Sequence, residues 1–430
     1  MAWDFETDPD YQRQLDWVQE FVRAEVEPLE HVLGHPCDVR DARRNALVRP
    51  LQQQVRARGL WGCHLGPELG GPGYGQVKLA LLNEILGQAE YGPVVFGCQA
   101  PDSGNAEILA HYGTPEQKRR YLQPLLDNTI VSCFAMTEPQ GGADPDVFTT
   151  RAVREGDEWV ITGRKWFASH ARFAEFLIVM AVTDPEAPLL QRMSMFIVPA
   201  DTPGITVLRN SGFATEKAPV HGYLDFDRVR VPADHLLGAE GNAFVVAQVR
   251  LGGGRIHHAM RTIGEARRAL DMMCQRVISR RTKGELLANK QMVQAQIADS
   301  WIELEQFRLL VLRTAWLVDK HKDYKQVRKD ISAIKAAMPK VLHDIASRAL
   351  HLHGSYGLTE EVPFVHLLLQ SHHMGLADGP VEVHKVTVAR QLLREYQPST
   401  TLFPAYDIPT QREAAIAKYQ AALEHIDHAV

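Results

Sequence analysis

The chain has 430 residues, of which 45% are hydrophobic and 23% charged, so it has the composition of a globular protein and the length of two or three domains. Its net charge of −5 gives no reason to expect binding to nucleic acid or to an anionic membrane. The five cysteines are odd in number and form no Cys-x-x-Cys pair, which indicates neither a disulfide framework nor a zinc site and favours a reducing compartment.

The first ten residues carry four acidic and no basic side chains, which argues against a secretory signal or an Arg-rich transit peptide. No apolar run reaches the length of about 20 residues that spans a bilayer. We therefore expect a cytoplasmic protein without a membrane span.

Residues 1–130 predict an N-terminal α-helical domain. Apolar residues recur at helical spacing in several segments that are separated by Gly and Pro. Thr114 stands at an N-cap, with Pro115 at the first helical position and Gln117 in the capping-box place. The helical segments cover residues 11–26, 45–58, 79–89 and 105–111, followed by the short helix after Thr114.

Residues 131–240 predict a central β domain. Short runs rich in β-branched and aromatic residues cover 158–162, 176–182, 194–198, 205–208 and 223–231. Glu155-Gly156-Asp157 is typical of a hairpin turn. A small antiparallel barrel or sandwich is the economical arrangement for such strands.

Residues 241–398 predict a C-terminal four-helix bundle, because long amphipathic segments follow one another with short links. Pro339 is expected to kink the third helix or to end it. A tail of residues 399–430 follows, with a short helix at 411–426. The predicted bundle helices cover 256–277, 286–317, 331–352 and 381–396. The fold class is thus α+β multidomain.

Several common sites are not supported. No Gly-x-Gly-x-x-Gly follows a strand and no P-loop occurs, which argues against a Rossmann site or an NTPase. Six histidines at 257, 258, 351, 353, 372 and 373 lack the carboxylates and spacings of a metal motif, so packing in the core or at a cofactor edge is the expected role and no metal site is predicted.

Two stretches in the middle of the chain are distinctive together: CFAMTEPQGGAD at 133–144 and GRKWFAS at 163–169. They resemble the two flavin-contacting signatures of the acyl-CoA dehydrogenase family. The order of helices, strands and bundle extends the resemblance over nearly all of the chain except the tail. Within the family, LGGGRIHH at 251–258 and LADGPVEVH at 376–384 look most like the branch of acyl-CoA dehydrogenases 10 and 11.

The resemblance implies FAD as the cofactor. Thr137 and nearby backbone amides would bond the pyrimidine edge, Phe167 would pack against the flavin ring, and Ser169 would lie near N5. Fixed donors there stabilise the negative charge that a reduced flavin gains. The alternative role of the aromatic residues is strand core. The implied flavin contacts within one chain are Phe134, Met136, Thr137, Phe167, Ser169 and Pro380.

Further cofactor contacts are implied across a subunit boundary, so the resemblance implies a homodimer or homotetramer. Arg280 matches an arginine that reaches the flavin pyrophosphate of a neighbouring subunit, a task that suits its planar fork. Gln291 also matches a position facing the cofactor. His351 and Gly354 stand in a segment that faces the neighbour's dinucleotide, although His351 replaces the usual Gln.

Asp378 stands where most members of the family have the catalytic Glu. By itself, Asp before Gly-Pro and a helix is an ordinary helix cap. The other family position for the base is Gly254, which cannot act as one, so Asp378 is the predicted catalytic residue. Small residues at 254 and 377 predict a roomy acyl pocket. The implied substrate contacts are Ala143, Leu251, Gly254, Arg255, Ala377 and Gly379.

The reaction implied by the resemblance is oxidation of an acyl-CoA to the trans-2-enoyl-CoA. Asp378 would take the α-proton while hydride leaves the β-carbon for flavin N5, and an electron-transferring flavoprotein would accept the electrons. The main alternative is a nitroalkane-oxidase-like flavoprotein, a relative that uses Asp at this position. A non-catalytic, DNA-associated flavoprotein of the same fold is a second alternative, but it would need a basic surface.

Overall fold

The computed structural model describes residues 6–214 and 218–427. The chain forms two compact units, Met1–Lys385 and Val386–Val430, whose boundary falls inside a helix. All predicted site residues belong to the first unit.

The first unit begins with helices, as the sequence predicts. The capping box is confirmed: the backbone N–H of Gln117 donates to Thr114 Oγ1 at 3.2 Å, and that of Thr114 donates to Gln117 Oε1 at 3.0 Å. The helices are α1 (Pro9–Phe21), α2 (Ala42–Ala57), α3 (Gly75–Leu86), α4 (Gly92–Val95), α5 (Asp102–Tyr112), α6 (Pro115–Gln117) and α7 (Gln123–Leu126).

A seven-stranded sheet follows, which confirms a central β domain. Its order is β1-β4-β2-β3-β7-β6, and β5 pairs with β4. The strands are β1 (Ser132–Ala135), β2 (Arg151–Glu155), β3 (Glu158–Ser169), β4 (Phe176–Val182), β5 (Met193–Pro199), β6 (Ile205–Ser211) and β7 (His221–Pro232). The predicted hairpin joins β2 to β3, where Glu155 pairs with Glu158.

The sheet is mixed, with two pairings that an antiparallel meander does not contain. Strand β4 pairs in parallel with β1 and with β2, and antiparallel with β5. Its sequence FLIVMAV is buried along nearly its whole length. A continuous apolar run is what a strand in the interior of a sheet needs, because both of its faces are covered.

The second half of the first unit is again helical. Helix α8 lies at its centre and packs against α3, α5, α9 and α10, and one apolar core joins α3, α8, α9 and α10 to α1 and α2. The elements are α8 (Ala243–Ser279), the hairpin of β8 (Arg281–Thr282) and β9 (Glu285–Leu286), α9 (Gln291–His321), α10 (Arg328–His353), α11 (Phe364–Leu376) and the start of α12 (Val381–Leu393).

Of the two outcomes expected at Pro339, a helix end is wrong, because α10 continues through this residue. Helix α11 was not predicted as a separate helix. The second unit contains the rest of α12 and α13 (Ile408–Asp427). Within the described parts of the chain, no helix has the length and the apolar character that crossing a membrane requires.

Candidate active site

Asp378 lies in the tight loop between α11 and α12. Its backbone is left-handed, with φ of 55°, and Gly379 follows at φ of 102°. Asp tolerates this conformation better than most residues and Gly tolerates it freely, so the Asp-Gly pair suits the turn. The loop presents the carboxylate towards α8, where an added side chain on Gly254 would contact it.

Three residues of α8 face this loop. The Nε2 atom of His258 lies 3.7 Å from Oδ2 of Asp378, whose side chain is 18% exposed. A Cβ atom built on Gly254 would lie 3.2 Å from the same oxygen. Arg255 Nε donates to the backbone carbonyl of Asp378 at 3.0 Å. The structure therefore brings together Asp378 and Gly254, the two family positions for a base.

The backbone of the loop is fixed from a second direction. The buried His384 ring has its Nε2 atom 3.2 Å from the carbonyl oxygen of Asp378. The buried ammonium group of Lys335 donates to the carbonyl of Met374, near the end of α11. These bonds restrict where the Asp378 carboxylate can move.

The surroundings keep Asp378 ionised. Burial by itself would raise the pKa of this carboxyl, but His258 and the guanidinium groups of Arg250 and Arg255 hold it below its usual value. Burial lowers the pKa of His258 to about 4 in spite of the nearby carboxylate. Near neutral pH the pair is therefore a carboxylate beside a neutral imidazole, and the carboxylate can accept a proton.

The three consecutive glycines of α8 each allow a close approach. An added Cβ would lie 3.0 Å from the Tyr324 ring at Gly252 and 3.0 Å from Oε2 of Glu107 at Gly253. Each glycine costs a helix roughly 1 kcal/mol relative to alanine. The close approaches explain why this cost is tolerated. Burial raises the pKa of Glu107 to about 7.

Sequence reasoning missed several residues of this site. Arg250 was not assigned a role, and His258 was expected only to pack in the core or at a cofactor edge, although the two residues lie one helical turn before and after Gly254. The spacing of four residues places all three on one face of α8, which is a signal that the sequence contains. Glu107 and Lys335 come from other helices, and only the tertiary structure brings them here.

A connection runs from the active site to the predicted flavin residues. The Arg250 guanidinium lies 3.9 Å from the ring centroid of Phe134, and its Nε donates to Asn105 at 2.8 Å. Ser169 Oγ lies 2.9 Å from Nδ1 of His221, whose ring is 6.3 Å from that of His373 on α11.

The first predicted flavin signature is held by a buried ion pair. Lys165 Nζ, which is fully buried, donates at 2.8 Å to Glu138 and to the backbone carbonyl of Met136. The backbone carbonyl of Thr137 accepts the backbone N–H of Trp166 at 3.0 Å, and this bond connects the first signature to the second. Phe134, Met136 and Thr137 are half-buried.

The second signature contains an aromatic platform. Strand β3 has an irregular register between Lys165 and Ala168, and Phe167 there has φ of 53°. A bulge re-aims a side chain, and Phe167 is 46% exposed while stacking on Trp166 at 4.7 Å. Within the described chain the buried Trp166 indole N–H has no acceptor. An exposed ring and an unused donor fit an aromatic cofactor with polar edges.

The predicted cofactor residues outside the two flavin signatures and the Asp378 loop lie at helix ends. Arg280 follows α8, where its carbonyl accepts the N–H of Leu287 at 2.9 Å, and Gln291 begins α9. His351 and Gly354 lie at the end of α10, and all four are exposed. The structure does not bring them into contact with Asp378.

The remaining predicted residues lie near Asp378, on α8 or near the first flavin signature. Ala377 adjoins Asp378, and the Pro380 carbonyl accepts the N–H of Val383 at 3.0 Å in the first turn of α12. Leu251 is buried in α8. Ala143 is exposed in the loop between β1 and β2.

Comparison with known proteins covers almost the whole chain. Three family models match: acyl-CoA dehydrogenase N-terminal domain over residues 8–129, middle domain over 133–229 and C-terminal domain over 241–393. FadE2 of Mycobacterium tuberculosis, named a probable acyl-CoA dehydrogenase, is 41% identical over 85% of this chain and 93% of its own length.

Acyl-CoA dehydrogenase family member 10 of mouse is 40% identical over 90% of this chain, which spans only 37% of the mouse protein. The rat family member 11 is 36% identical over 89% of this chain, which spans 50% of that protein. The chain therefore corresponds to part of these longer relatives.

Solved structures show the same architecture. A candidate acyl-CoA dehydrogenase from Mycobacterium abscessus is 40% identical with a TM-score of 0.84, covering 91% of this chain and 100% of that one. Glutaryl-coenzyme A dehydrogenase in complex with glutaryl-CoA is 25% identical with a TM-score of 0.80, over 92% and 98%. A chain from a study of the electron transferring flavoprotein of Acidaminococcus fermentans is 26% identical with a TM-score of 0.78, over 91% and 100%.

Proposed function

The chain belongs to the acyl-CoA dehydrogenase family of FAD enzymes, and we propose that it oxidises an acyl-CoA to the trans-2-enoyl-CoA with Asp378 as the base. One observation carries this assignment. The Asp378 carboxylate occupies a water-poor site opposite the missing side chain of Gly254, and the surrounding charges keep it ionised.

The residues of the chain have separate tasks in this reaction. Asp378 accepts the α-proton of the thioester, while the β-carbon loses a hydride and the double bond forms between the two carbons. FAD, when bound, supplies the hydride acceptor. Arg255 and His384 hold the Asp378 carbonyl, so the carboxylate does not need to be oriented in each turnover.

Because the pKa of Asp378 is lowered, the bound substrate has to make this carboxylate a stronger base. An Asp whose pKa lies below its usual value is a weak base for an α-proton. An acyl chain that displaces water from the carboxylate raises its pKa, because the charged form loses solvation. The base is therefore strongest when the substrate is in place. Neutral His258 can accept a hydrogen bond from the protonated Asp378 after the transfer.

The proposal extends to subunits and partners. Exposed Arg280, His351 and Gly354 support a cofactor site that is completed by a second copy of the chain. We propose a homodimer or homotetramer for this reason. The similarity to a chain studied with an electron transferring flavoprotein supports such a protein as the electron acceptor.

The base assignment is tested with Asp378→Asn. This variant keeps the shape of the side chain but cannot accept the proton, so we expect it to retain FAD and to lose flavin reduction by acyl-CoA by about a thousandfold or more. Asp157→Asn, in the exposed β2–β3 turn, is the matched control and should reduce at the native rate. Flavin absorbance is followed by stopped flow under anaerobic conditions with a panel of acyl-CoAs. Near-native reduction by the Asp378→Asn variant would contradict the proposal.

The same assay distinguishes the nitroalkane-oxidase alternative. That alternative is favoured by the presence of Asp in place of Glu, because nitroalkane oxidases use Asp at this position. Bleaching of the flavin by nitroalkanes, with none by any acyl-CoA, would establish it. Bleaching by acyl-CoA alone supports the dehydrogenase.

A further inference from the structure

Three side chains outside the proposed base site come together in the first unit: His35, Cys37 and His170. The first two lie in the segment between α1 and α2, and His170 directly follows β3. One potential ligand atom from each residue lies within 4.8 Å of the other two. Because His170 is distant in sequence from the other two, no local spacing could reveal this cluster.

The cluster is buried and one of its nitrogen atoms is unused. Cys37 is 5% exposed and His170 is 7% exposed. Within the residues that the structure describes, Nδ1 of His170 is buried and has no hydrogen-bond partner. A buried ring nitrogen without a partner is costly in an ordinary core. It is the atom that a ligand would satisfy.

An apolar wall and a cavity surround the cluster. The ring of Phe173 lies 5.4 Å from His35 and 5.2 Å from His170, and the two imidazoles are 5.0 Å apart. His35, Cys37 and His170 also line a cavity of about 340 Å³, which they share with Gln99 and His258. The cluster therefore has a closed side and an open side.

We propose that His35, Cys37 and His170 bind a divalent transition-metal cation of the zinc type, with a water molecule from the cavity as the fourth ligand. Two imidazole nitrogens and one thiolate are the donors that zinc prefers, whereas magnesium and calcium prefer oxygen. Three protein ligands and one open position are typical of an accessible zinc site. This inference does not depend on the proposed dehydrogenase function.

The protonation state of His170 suits metal binding, whereas that of Cys37 has to change when a metal binds. Burial and the neighbouring imidazoles of His35 and His221 lower the pKa of His170 well below its usual value, so its ring is neutral and can bind a metal. Burial raises the pKa of Cys37, so the residue is a thiol without metal. Binding then forms one metal–sulfur and two metal–nitrogen bonds, and the thiol proton leaves to solvent.

Binding requires a small local adjustment. In a tetrahedral site with bonds of about 2.0–2.3 Å, ligand atoms lie roughly 3.3–3.8 Å apart. Because the three ligand atoms lie within 4.8 Å of one another, they need to approach by at most about 1.5 Å. Nδ1 of His35 accepts the N–H of Cys37 at 3.2 Å. A neutral imidazole has one ring nitrogen with a free lone pair. The metal therefore binds either Nδ1 of His35, in place of this hydrogen bond, or Nε2 of His35 after the ring proton has moved from Nε2 to Nδ1.

The test measures zinc in the purified FAD-containing protein. After removal of metals with a chelator, the protein is given one equivalent of zinc chloride and desalted, and bound zinc is measured by mass spectrometry. Isothermal titration with zinc chloride gives the affinity. We expect about one zinc per chain, and an X-ray absorption spectrum with one sulfur at about 2.3 Å and nitrogen or oxygen at about 2.0–2.1 Å.

Two substitutions and two controls make the test specific. Cys37→Ser and His170→Asn should each weaken binding more than about a hundredfold. Asn suits position 170 because the backbone there has φ of 69°, which Asn tolerates. Cys274→Ser and His111→Asn lie outside the cluster and should bind zinc like the native protein. FAD content checks that each variant is folded.

Failure of the native protein to retain zinc, or equal loss of zinc in the controls, would overturn the site. The cluster would then be packing of aromatic rings alone. A spectrum without sulfur would also reject it, because Cys37 would not be a ligand. This spectrum is recorded on the native protein, so the test does not depend on a variant that folds.

Discussion

At Gly254 a single hydrogen in place of a side chain leaves room for the carboxylate of Asp378. Because an added Cβ would lie 3.2 Å from Oδ2, Gly254→Ala should displace the carboxylate and lower the rate of flavin reduction by about tenfold or more. The same substitution removes a glycine from the middle of a helix, so the free energy of unfolding should rise by up to about 1 kcal/mol.

The opposite signs of these two effects make the prediction specific. Rapid-reaction kinetics measures the first and thermal unfolding the second. Gly34→Ala is the control, because nothing lies within 4 Å of a Cβ added there, and it should leave the reduction rate unchanged. Loss of activity together with loss of stability would mean that Gly254 is needed for packing and not for the carboxylate.

Asp378 could be nominated from the sequence only because a family resemblance supplied its register. Its local pattern, Asp before Gly-Pro, is shared with ordinary helix caps. The left-handed backbone at Asp378 and the contact with α8 are tertiary facts. Arg250 and His258 could have been identified from the sequence, because each lies four residues from Gly254 and therefore on the same face of the helix. Glu107 on α5 could not have been identified in this way.

At the scale of elements, the bulge in β3 exposes Phe167 beside Trp166. An aromatic platform of this kind contributes to binding of a flat ring, so Phe167→Ala should weaken FAD binding by about tenfold. Release of FAD is measured from the gain in flavin fluorescence on dilution. Val153→Ala is the control, because Val153 is similarly exposed, at 51%, on the neighbouring strand. Equal FAD affinity in the native protein and the Phe167 variant would remove Phe167 from the cofactor site.

The elements differ in how well the sequence specifies them. Strand β4 was predicted with its observed bounds, because the apolar run in residues 176–182 ends in Thr and Asp. The parallel pairing of β4 was not predicted, because strand pairing depends on how the chain connects the strands, and the periodicity of a sequence does not show this. Helix α10 continues through Pro339 and packs against α8, α9 and α11, because tertiary packing can override the low helix propensity of a single residue. Helix α11 carries four residues of glycine or histidine among its leucines, which obscured its period.

At the scale of the whole molecule, the proposed cofactor site has contributions from two chains. Phe167→Ala and Arg280→Met should each weaken FAD binding, but the two defects should lie in different subunits of one site. Refolding an equal mixture of the two variants should therefore regenerate native FAD sites. In random dimers about a quarter of all sites would carry neither defect.

Titration of the refolded mixture with FAD measures this fraction. A control mixture in which both chains carry Phe167→Ala should contain no high-affinity site. If the mixture of the two variants also contains none, Arg280 and Phe167 act within the same chain, and the proposal of a shared site is wrong.

The stability of the whole molecule should rise between about pH 4.5 and pH 6.5. Six histidines have lowered pKa values in the folded protein because they are buried, so the unfolded chain binds more protons in this range, and stability increases with pH. These residues are His64, His170, His257, His258, His353 and His384. Buried carboxyls act in the opposite direction. The carboxyls with raised pKa values are Asp102, Glu107, Glu265 and Asp271.

The histidines should dominate below pH 6.5, since six histidines have lowered pKa values and four carboxyls have raised ones. A substitution at His64 separates the contribution of the histidines from that of the carboxyls. Burial lowers the pKa of His64 to about 3, and both of its ring nitrogens lack hydrogen-bond partners among the described residues. His64→Leu should reduce the gain in the free energy of unfolding between pH 4.5 and 6.5 by up to about 2 kcal/mol. Thermal unfolding at saturating FAD measures it, with His111→Asn as the exposed control. A melting temperature that falls from pH 4.5 to 6.5 would show that the carboxyls dominate instead.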